Sequence, residues 1–309
     1  MPAPLNIHPI QTVIQTMKRT SFTLALVAAA FATLTSLPTQ APPRIPDEYR
    51  VNGFAIGCQA YTFNRFTAFE AIEKTAQTGG KVIEFYPGQR LAKEHGDLKV
   101  GHEGGTVDQV VGLLQAKLQK HGIKAVNYGV VGIPNNEAGA RKVFEFAKKM
   151  GLRAVTTESA DAVALLEKLA VEFDIAVAFH NHPGDMANPN YKVWSPHYIA
   201  GLVEGRSKLL GACADTGHWA RSGIKPVEAL RVLKGRIVSS HLKDLNEFGK
   251  RNAHDMPYGQ GVCAISEVLA ELKAQGFDGN ISIEYEYNWD NSVPEVTQCV
   301  DFVKALGKK

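Results

Sequence analysis

Residues 211–219 read GACADTGHW, a run of small, strand-forming residues that closes on an acid, a glycine and a histidine. Small apolar residues suit a strand packed inside a tight sheet, and polar residues at its end suit a site on top of that sheet. The chain on either side repeats the theme. From residue 54 onward, short β-rich runs at 54–61, 81–86, 123–128, 153–158, 175–180, 209–215, 237–241 and 280–286 alternate with amphipathic segments of helical length. Helical periodicity predicts helices near 67–79, 106–121, 137–150, 160–173, 195–205, 226–234, 264–275 and 293–307. Pro226 fits a first turn, and Gly122, Gly151 and Gly276 stand where helices should end.

Eight β–α units with nothing left over is the count of a closed barrel, whereas an open doubly wound sheet typically uses about five or six strands. The expected fold is therefore α/β, a single (β/α)8 TIM barrel. Function in such a barrel lives in the loops at the carboxyl ends of the strands. The long loops here follow the second, fifth and seventh strands, at 87–105, 183–195 and 246–261.

The first 45 residues stand apart from this pattern. Lys18 and Arg19 follow Met17, residues 22–34 are apolar and alanine-rich, and Thr39-Gln40-Ala41 offers a small-x-small cleavage pattern. These features predict a secretory signal and short linker over 1–45, a barrel domain over 46–309, and an exported, periplasmic protein that begins near residue 42. Pro38, Pro42, Pro43 and Pro46 argue against an ordinary first helix. The apolar run is too short to span a bilayer, and no later segment approaches its length.

The formal net charge is +3, and removal of Lys18 and Arg19 lowers it to +1. No basic stripe points to nucleic acid. Cys58, Cys213, Cys263 and Cys299 lie far apart with no CxxC spacing, which excludes a zinc knuckle and leaves no obvious disulfide framework.

Side chains alternate across a strand, so each run sorts into residues facing the barrel axis and residues facing the helices. On the eighth run Ile281, Ile283 and Tyr285 face the helices, leaving Ser282, Glu284 and Glu286 inward. The same sorting puts Ser239, His241 and Lys243 inward on the seventh, Cys213 and Asp215 on the sixth, and His180 and His182 on the fifth. The fourth contributes Thr156 and Glu158, and the second Glu84, for which a lysine is the expected partner. Asp215, His241 and Glu284 therefore converge, with Glu158, His180 and His182 approaching from the adjacent strands. Burying these carboxylates together without a cation would cost several kcal/mol each. One divalent metal resolves this, and mixed carboxylate and imidazole ligands suit Mn²⁺, Co²⁺, Fe²⁺ or Zn²⁺ better than Ca²⁺.

At these residues the sequence resembles the xylose isomerase-like barrel superfamily of sugar isomerases and epimerases, inosose dehydratases and apurinic endonucleases. "ADTGH" at 214–218 resembles the family's sixth-strand metal aspartate followed by a substrate-binding histidine. "SHLKD" at 240–244 resembles its seventh-strand metal histidine, and "ISIEYE" at 281–286 its eighth-strand metal glutamate. "YGQGV" at 258–262 resembles the glycine-rich stretch before the seventh helix. The resemblance implies Asp215, His241 and Glu284 as metal ligands, with His218 and Lys243 beside the substrate. Epimerases of this family usually place a glutamate at the end of the fifth strand, as ligand and as acid–base group, where this chain reads "AFHNHPGD" with His180 in that place. Either Glu158 or His180 then completes the metal shell. His182 and His180 are the candidate proton carriers, with His218 and Glu286 as alternatives and Lys243 holding an oxyanion or hydroxyl.

The function implied is proton removal next to a sugar carbonyl, as in an isomerase or epimerase, or elimination by a 3-keto-glycoside lyase or dehydratase with the same site. A non-catalytic sugar-binding barrel is the contrasting reading. It would keep Trp194, Trp219, Tyr258 and Trp289 for stacking but would not need the inward acid and imidazole groups. The expected partner is a small-molecule sugar or glycoside, with no nucleic acid and no membrane span in the mature chain. Homo-oligomerisation is left open.

Overall fold

The structure, a computed structural model, describes Met1, residues 41–185 and residues 187–307. Of the signal and linker expected over 1–45, residues 2–40 lie outside these. Eight parallel strands close into a barrel: β1 (Ala55–Gln59), β2 (Val82–Phe85), β3 (Lys124–Tyr128), β4 (Ala154–Thr157), β5 (Ala176–His180), β6 (Leu210–Asp215), β7 (Ile237–Leu242) and, completing the ring between β7 and β1, β10 (Asn280–Ile283). Two further short strands, β8 (Asp244–Leu245) and β9 (Asp255–Met256), pair antiparallel in the loop after β7. The helices are α1 (Ala68–Gln77), α2 (Val107–His121), α3 (Glu137–Met150), α4 (Val163–Phe173), α5 (Pro196–Val203), α6 (Thr216–Arg221), α7 (Pro226–Val232), α8 (Ile265–Ala274) and α9 (Val293–Ala305). Among the described residues, no helix is long and apolar enough to cross a membrane.

The helix boundaries follow local chemistry. Thr67 and Glu70 form a reciprocal capping box at the start of α1, and Asn136 caps α3 by accepting from the Gly139 amide. Gly122 and Gly151 end α2 and α3 in the left-handed region, at φ of 62° and 67°, where a Cβ would be strained. Strand packing makes a different demand at Gly57, where a Cβ would lie 1.7 Å from the Val82 carbonyl oxygen.

The barrel is closed at its amino-terminal end by residues just ahead of β1. Ile45 is buried against Ala55, Val82 and Val126, and Arg50 donates to the Ile45 carbonyl from Nε (3.1 Å) and Nη2 (3.0 Å). Arg153, on the strand side of this plug, donates to the carbonyls of Pro43 (2.9 Å) and Val238 (2.8 Å). Packing thus begins three residues ahead of the 46–309 boundary read from the sequence. With the floor closed, the open end is the carboxyl-terminal rim.

Candidate active site

Four side chains from four adjacent strands meet at that rim: His180 from β5, Asp215 from β6, His241 from β7 and Glu284 just past β10. The register pairs Asp215 with His241, whereas His180 pairs with Cys213 and His241 with Ser282, so the four are brought together by the stagger of the strands around the barrel. All four are buried. Asp215 Oδ2 lies 3.6 Å from His180 Nε2 and 4.0 Å from His241 Nδ1, and His241 Nδ1 lies 3.2 Å from Glu284 Oε2.

Three of the converging atoms, His180 Nε2, Asp215 Oδ2 and His241 Nδ1, are buried and make no hydrogen bond. Unsatisfied polar atoms at such depth are costly, and a group of them facing one another fits a cation. Two imidazoles and two carboxylates are a donor set that a divalent transition metal accepts. The residues present therefore fit the metal that the chemistry calls for.

The opening stretch now reads as one device. Asp215 ends β6 and caps α6: its Oδ1 accepts from the His218 amide at 2.7 Å, leaving Oδ2 for the ligand group. Gly217 leaves room for Lys243, whose Cβ would be only 2.7 Å from a Cβ at that position. Lys243 is fully buried, with Nζ 3.1 Å from Asp215 Oδ2 and 2.8 Å from both Glu284 Oε2 and Glu286 Oε2. Burial alone would lower its pKa, but Asp215, Glu284 and Glu286 raise it well above the usual lysine value. Burial likewise opposes ionisation of Asp215, yet His218, Lys243 and His180 hold its carboxyl well below the ordinary range. Glu284 is held low in the same way by Lys243 and His241 against burial.

Around this centre the predicted residues take distinct places. Glu158 stands one layer outside the four, with Oε1 3.1 Å from His180 Nδ1, 2.5 Å from His182 Nδ1 and 3.0 Å from the Tyr191 hydroxyl. Burial would raise its pKa, but the bonds to His180 and His182 bring it well down. His180, expected as either ligand or proton carrier, is buried between Glu158 and Asp215, which suits a ligand. His182 is half exposed and reaches the mouth.

His218 is buried with Nδ1 3.0 Å from Arg221 Nη1. A guanidinium and an ammonium both only donate, and Lys243 Nζ faces Nε2 at 3.4 Å, so each ring nitrogen of His218 meets a donor and the neutral ring can accept from only one of them. Burial, aided by Lys243 and His180 and opposed by Asp215, holds the His218 pKa well below the ordinary value. Glu286 is clamped by Lys243 at 2.8 Å and Arg221 at 3.3 Å.

Arg221 and the true partner of Glu84 are not legible in the sequence. Arg221 carries no motif signal, and only its place three residues after His218, on one helical turn, marks it. Glu84, for which a lysine is the expected partner, instead faces His241 Nε2 at 3.0 Å. Of the aromatic residues expected for stacking, Trp219 and Tyr258 are buried in the core. Trp289 lies 5.9 Å from the exposed Tyr61 ring, and Tyr61 lies 5.2 Å from Tyr86.

A closed parallel barrel with acid and imidazole groups converging at the carboxyl ends of successive strands defines a (β/α)8 barrel whose crown could hold a metal ion. The sequence model of the xylose isomerase-like TIM barrel matches residues 72–306, and the chain belongs to that family. No curated protein matches the chain by sequence. Among solved structures, an uncharacterised protein from Parabacteroides distasonis is 31% identical with a TM-score of 0.65, covering 82% of this chain and 98% of its own. The 3-keto-D-glucoside 4-epimerase of E. coli is 13% identical (TM-score 0.58; 82% and 99% covered). A probable 3-DHS dehydratase of Bacillus anthracis is also 13% identical (TM-score 0.56; 80% and 97% covered). At 13% these last two likenesses concern the fold.

Proposed function

We propose that this chain is a metal-dependent carbohydrate enzyme that removes a proton beside a carbonyl, acting as a sugar isomerase or epimerase. The observation that carries the reading is the convergence of His180, Asp215, His241 and Glu284 on one point, with the inward imidazole nitrogens of His180 and His241 buried without a hydrogen bond, beneath a half-exposed histidine. His180, Asp215, His241 and Glu284 would hold one divalent ion, Mn²⁺, Co²⁺ or Zn²⁺, with Glu158 supporting His180 from outside. When bound, that ion supplies a Lewis acid that binds and polarises the oxygens next to the acidic carbon.

The residues above it handle the proton. His182 donates its Nδ1 hydrogen to Glu158, which leaves Nε2 as a base at the mouth and stabilises the cation formed when it accepts a proton. His218, buried between Arg221 and Lys243, is held neutral beside the substrate. Lys243 balances the charge of three carboxylates beneath the substrate.

One observation favours the second reading, a 3-keto-glycoside lyase or dehydratase. Glu286, the other carboxylate at the mouth, is committed to Lys243 and Arg221, so among the described residues His182, with Nε2 open to the mouth, is the one proton carrier the site offers. Elimination needs only one. The mixture of epimerase and dehydratase functions named for the structural neighbours is compatible with both. Export, proposed from residues 17–41, would bring free sugars and glycosides rather than phosphosugars to the site.

The test is a panel of keto-sugars and glycosides with added Mn²⁺, Co²⁺ or Zn²⁺ in D₂O, followed by NMR. Deuterium at one carbon marks proton transfer, and a released aglycone marks elimination. Asp215→Ala should lose both metal and turnover. His182→Ala should keep its metal and lose roughly 10²–10⁴ in rate. Normal metal content in Asp215→Ala would remove the assignment, and normal turnover in His182→Ala would move the proton to another group.

A further inference from the structure

We infer that Glu84 is a positioning residue that selects which nitrogen of His241 faces the metal and tightens metal binding through that histidine. The inference rests on the metal reading above. Glu84 stands on β2, across β1 and β10 from His241 on β7, and its side chain is wholly buried. Its Oε1 accepts from the Thr156 hydroxyl at 2.7 Å, its Oε2 accepts from the Ser282 hydroxyl at 2.8 Å, and Oε2 also faces His241 Nε2 at 3.0 Å. Among the described residues no lysine or arginine pairs with it, and His241 is its one ion-pairing neighbour. A buried carboxylate so placed acts as an acceptor on every side, so the ring hydrogen of His241 belongs on Nε2. The lone pair is then on Nδ1, the nitrogen that has no hydrogen-bond partner and points toward Asp215 and Glu284.

The two hydroxyls matter as much as the carboxylate. Thr156 and Ser282 bind one oxygen each from opposite sides, which fixes the carboxylate plane and with it the tilt of the imidazole. His180 is arranged the other way round, with Nδ1 toward Glu158 and Nε2 toward the centre. Glu158, however, also binds His182 and Tyr191 and is partly exposed, so its removal would disturb the proton carrier. Glu84 touches nothing at the mouth. Its effect must pass through His241, as expected of a carboxylate–histidine–metal relay, whose outer member is typically worth about 10–100-fold in metal affinity.

The experiment uses the full chain, stripped with chelator and titrated with Mn²⁺ while free Mn²⁺ is read by EPR. Co²⁺ loading gives a visible spectrum as an independent report of ligand geometry. Glu84→Gln keeps the shape and one acceptor but removes the charge, and about tenfold weaker Mn²⁺ binding is expected. Glu84→Ala should approach 100-fold with a changed Co²⁺ spectrum. A role confined to packing would instead lower the unfolding midpoint of the metal-free protein and leave both metal readouts of the folded protein as in wild type. If Glu84→Ala fails to fold, Glu84→Gln decides alone, and wild-type Mn²⁺ affinity with an unchanged Co²⁺ spectrum overturns the inference. Wild-type protein that takes up no Mn²⁺ overturns this inference together with the metal reading, whereas normal uptake with indifferent Glu84 variants overturns this inference alone.

Discussion

Asp255, in the loop after β7, has Oδ2 3.1 Å from Arg221 Nη2, while its buried Oδ1 makes no hydrogen bond. Burial raises its pKa from 3.8 to about 7, with Glu286 and Asp215 adding to the shift and Lys243 and Arg221 opposing it. The unfolded chain releases this proton near pH 4 and the folded chain near pH 7, so in that window the folded state binds more protons. Stability must therefore fall as pH rises through it, by an amount of the order of a few kcal/mol. Asp255→Asn should flatten that slope when urea unfolding of metal-free protein is compared at pH 4.5 and 7.5, and an identical slope in both proteins would refute it. At this scale the sequence is legible in one direction only. A period of two puts His180, Asp215, His241 and Glu284 inward at strand ends, but it does not say what lies across the barrel. Glu84 and His241 are 157 positions apart and separated by two intervening strands, so their pairing follows from closure of the ring.

At the scale of elements, the eight main helices fall within a few residues of their predicted spans, because each has an apolar period and most have a capping signal. Helix α6 had neither. Six residues including Gly217 carry no readable period, and the cap is the same Asp215 proposed as a ligand. The hairpin of β8 and β9 was hidden likewise, since two-residue strands show no alternation. Gly217→Ala tests whether α6 is shaped by helix propensity or by Lys243. Propensity alone would gain about 1 kcal/mol. The added Cβ, however, would come within 2.7 Å of Lys243 Cβ and 2.9 Å of its Cδ, and that lysine is anchored by three carboxylates. Overpacking of this kind costs about 1–3 kcal/mol, so the clash should win. The expected outcome is a lower melting temperature and reduced turnover, with a raised melting temperature counting against the account.

Across the whole molecule the barrel separates the rim that carries the candidate site from a structural floor, and the count of eight units in the sequence was enough to place the rim. The floor was not readable, because residues 41–46 are rich in proline with Ile45 as their one large apolar residue, which is how a linker looks. Only the closed ring creates the hole that Ile45 fills against Ala55, Val82 and Val126. Ile45→Ala should therefore cost about 2–5 kcal/mol, as large-to-small changes in a packed core do. A chain begun at residue 46 should lose at least as much, because it also leaves Arg153 without the Pro43 carbonyl and Arg50 without that of Ile45. A chain begun at residue 42, the terminus that cleavage after Ala41 would produce, keeps all three contacts. The proposed export signal and the floor thus meet without overlapping. Urea unfolding of the two truncated chains should separate their midpoints clearly, while turnover per folded molecule stays equal because the rim lies at the opposite end of every strand. Coincident midpoints would mean that Ile45 covers the floor without holding it.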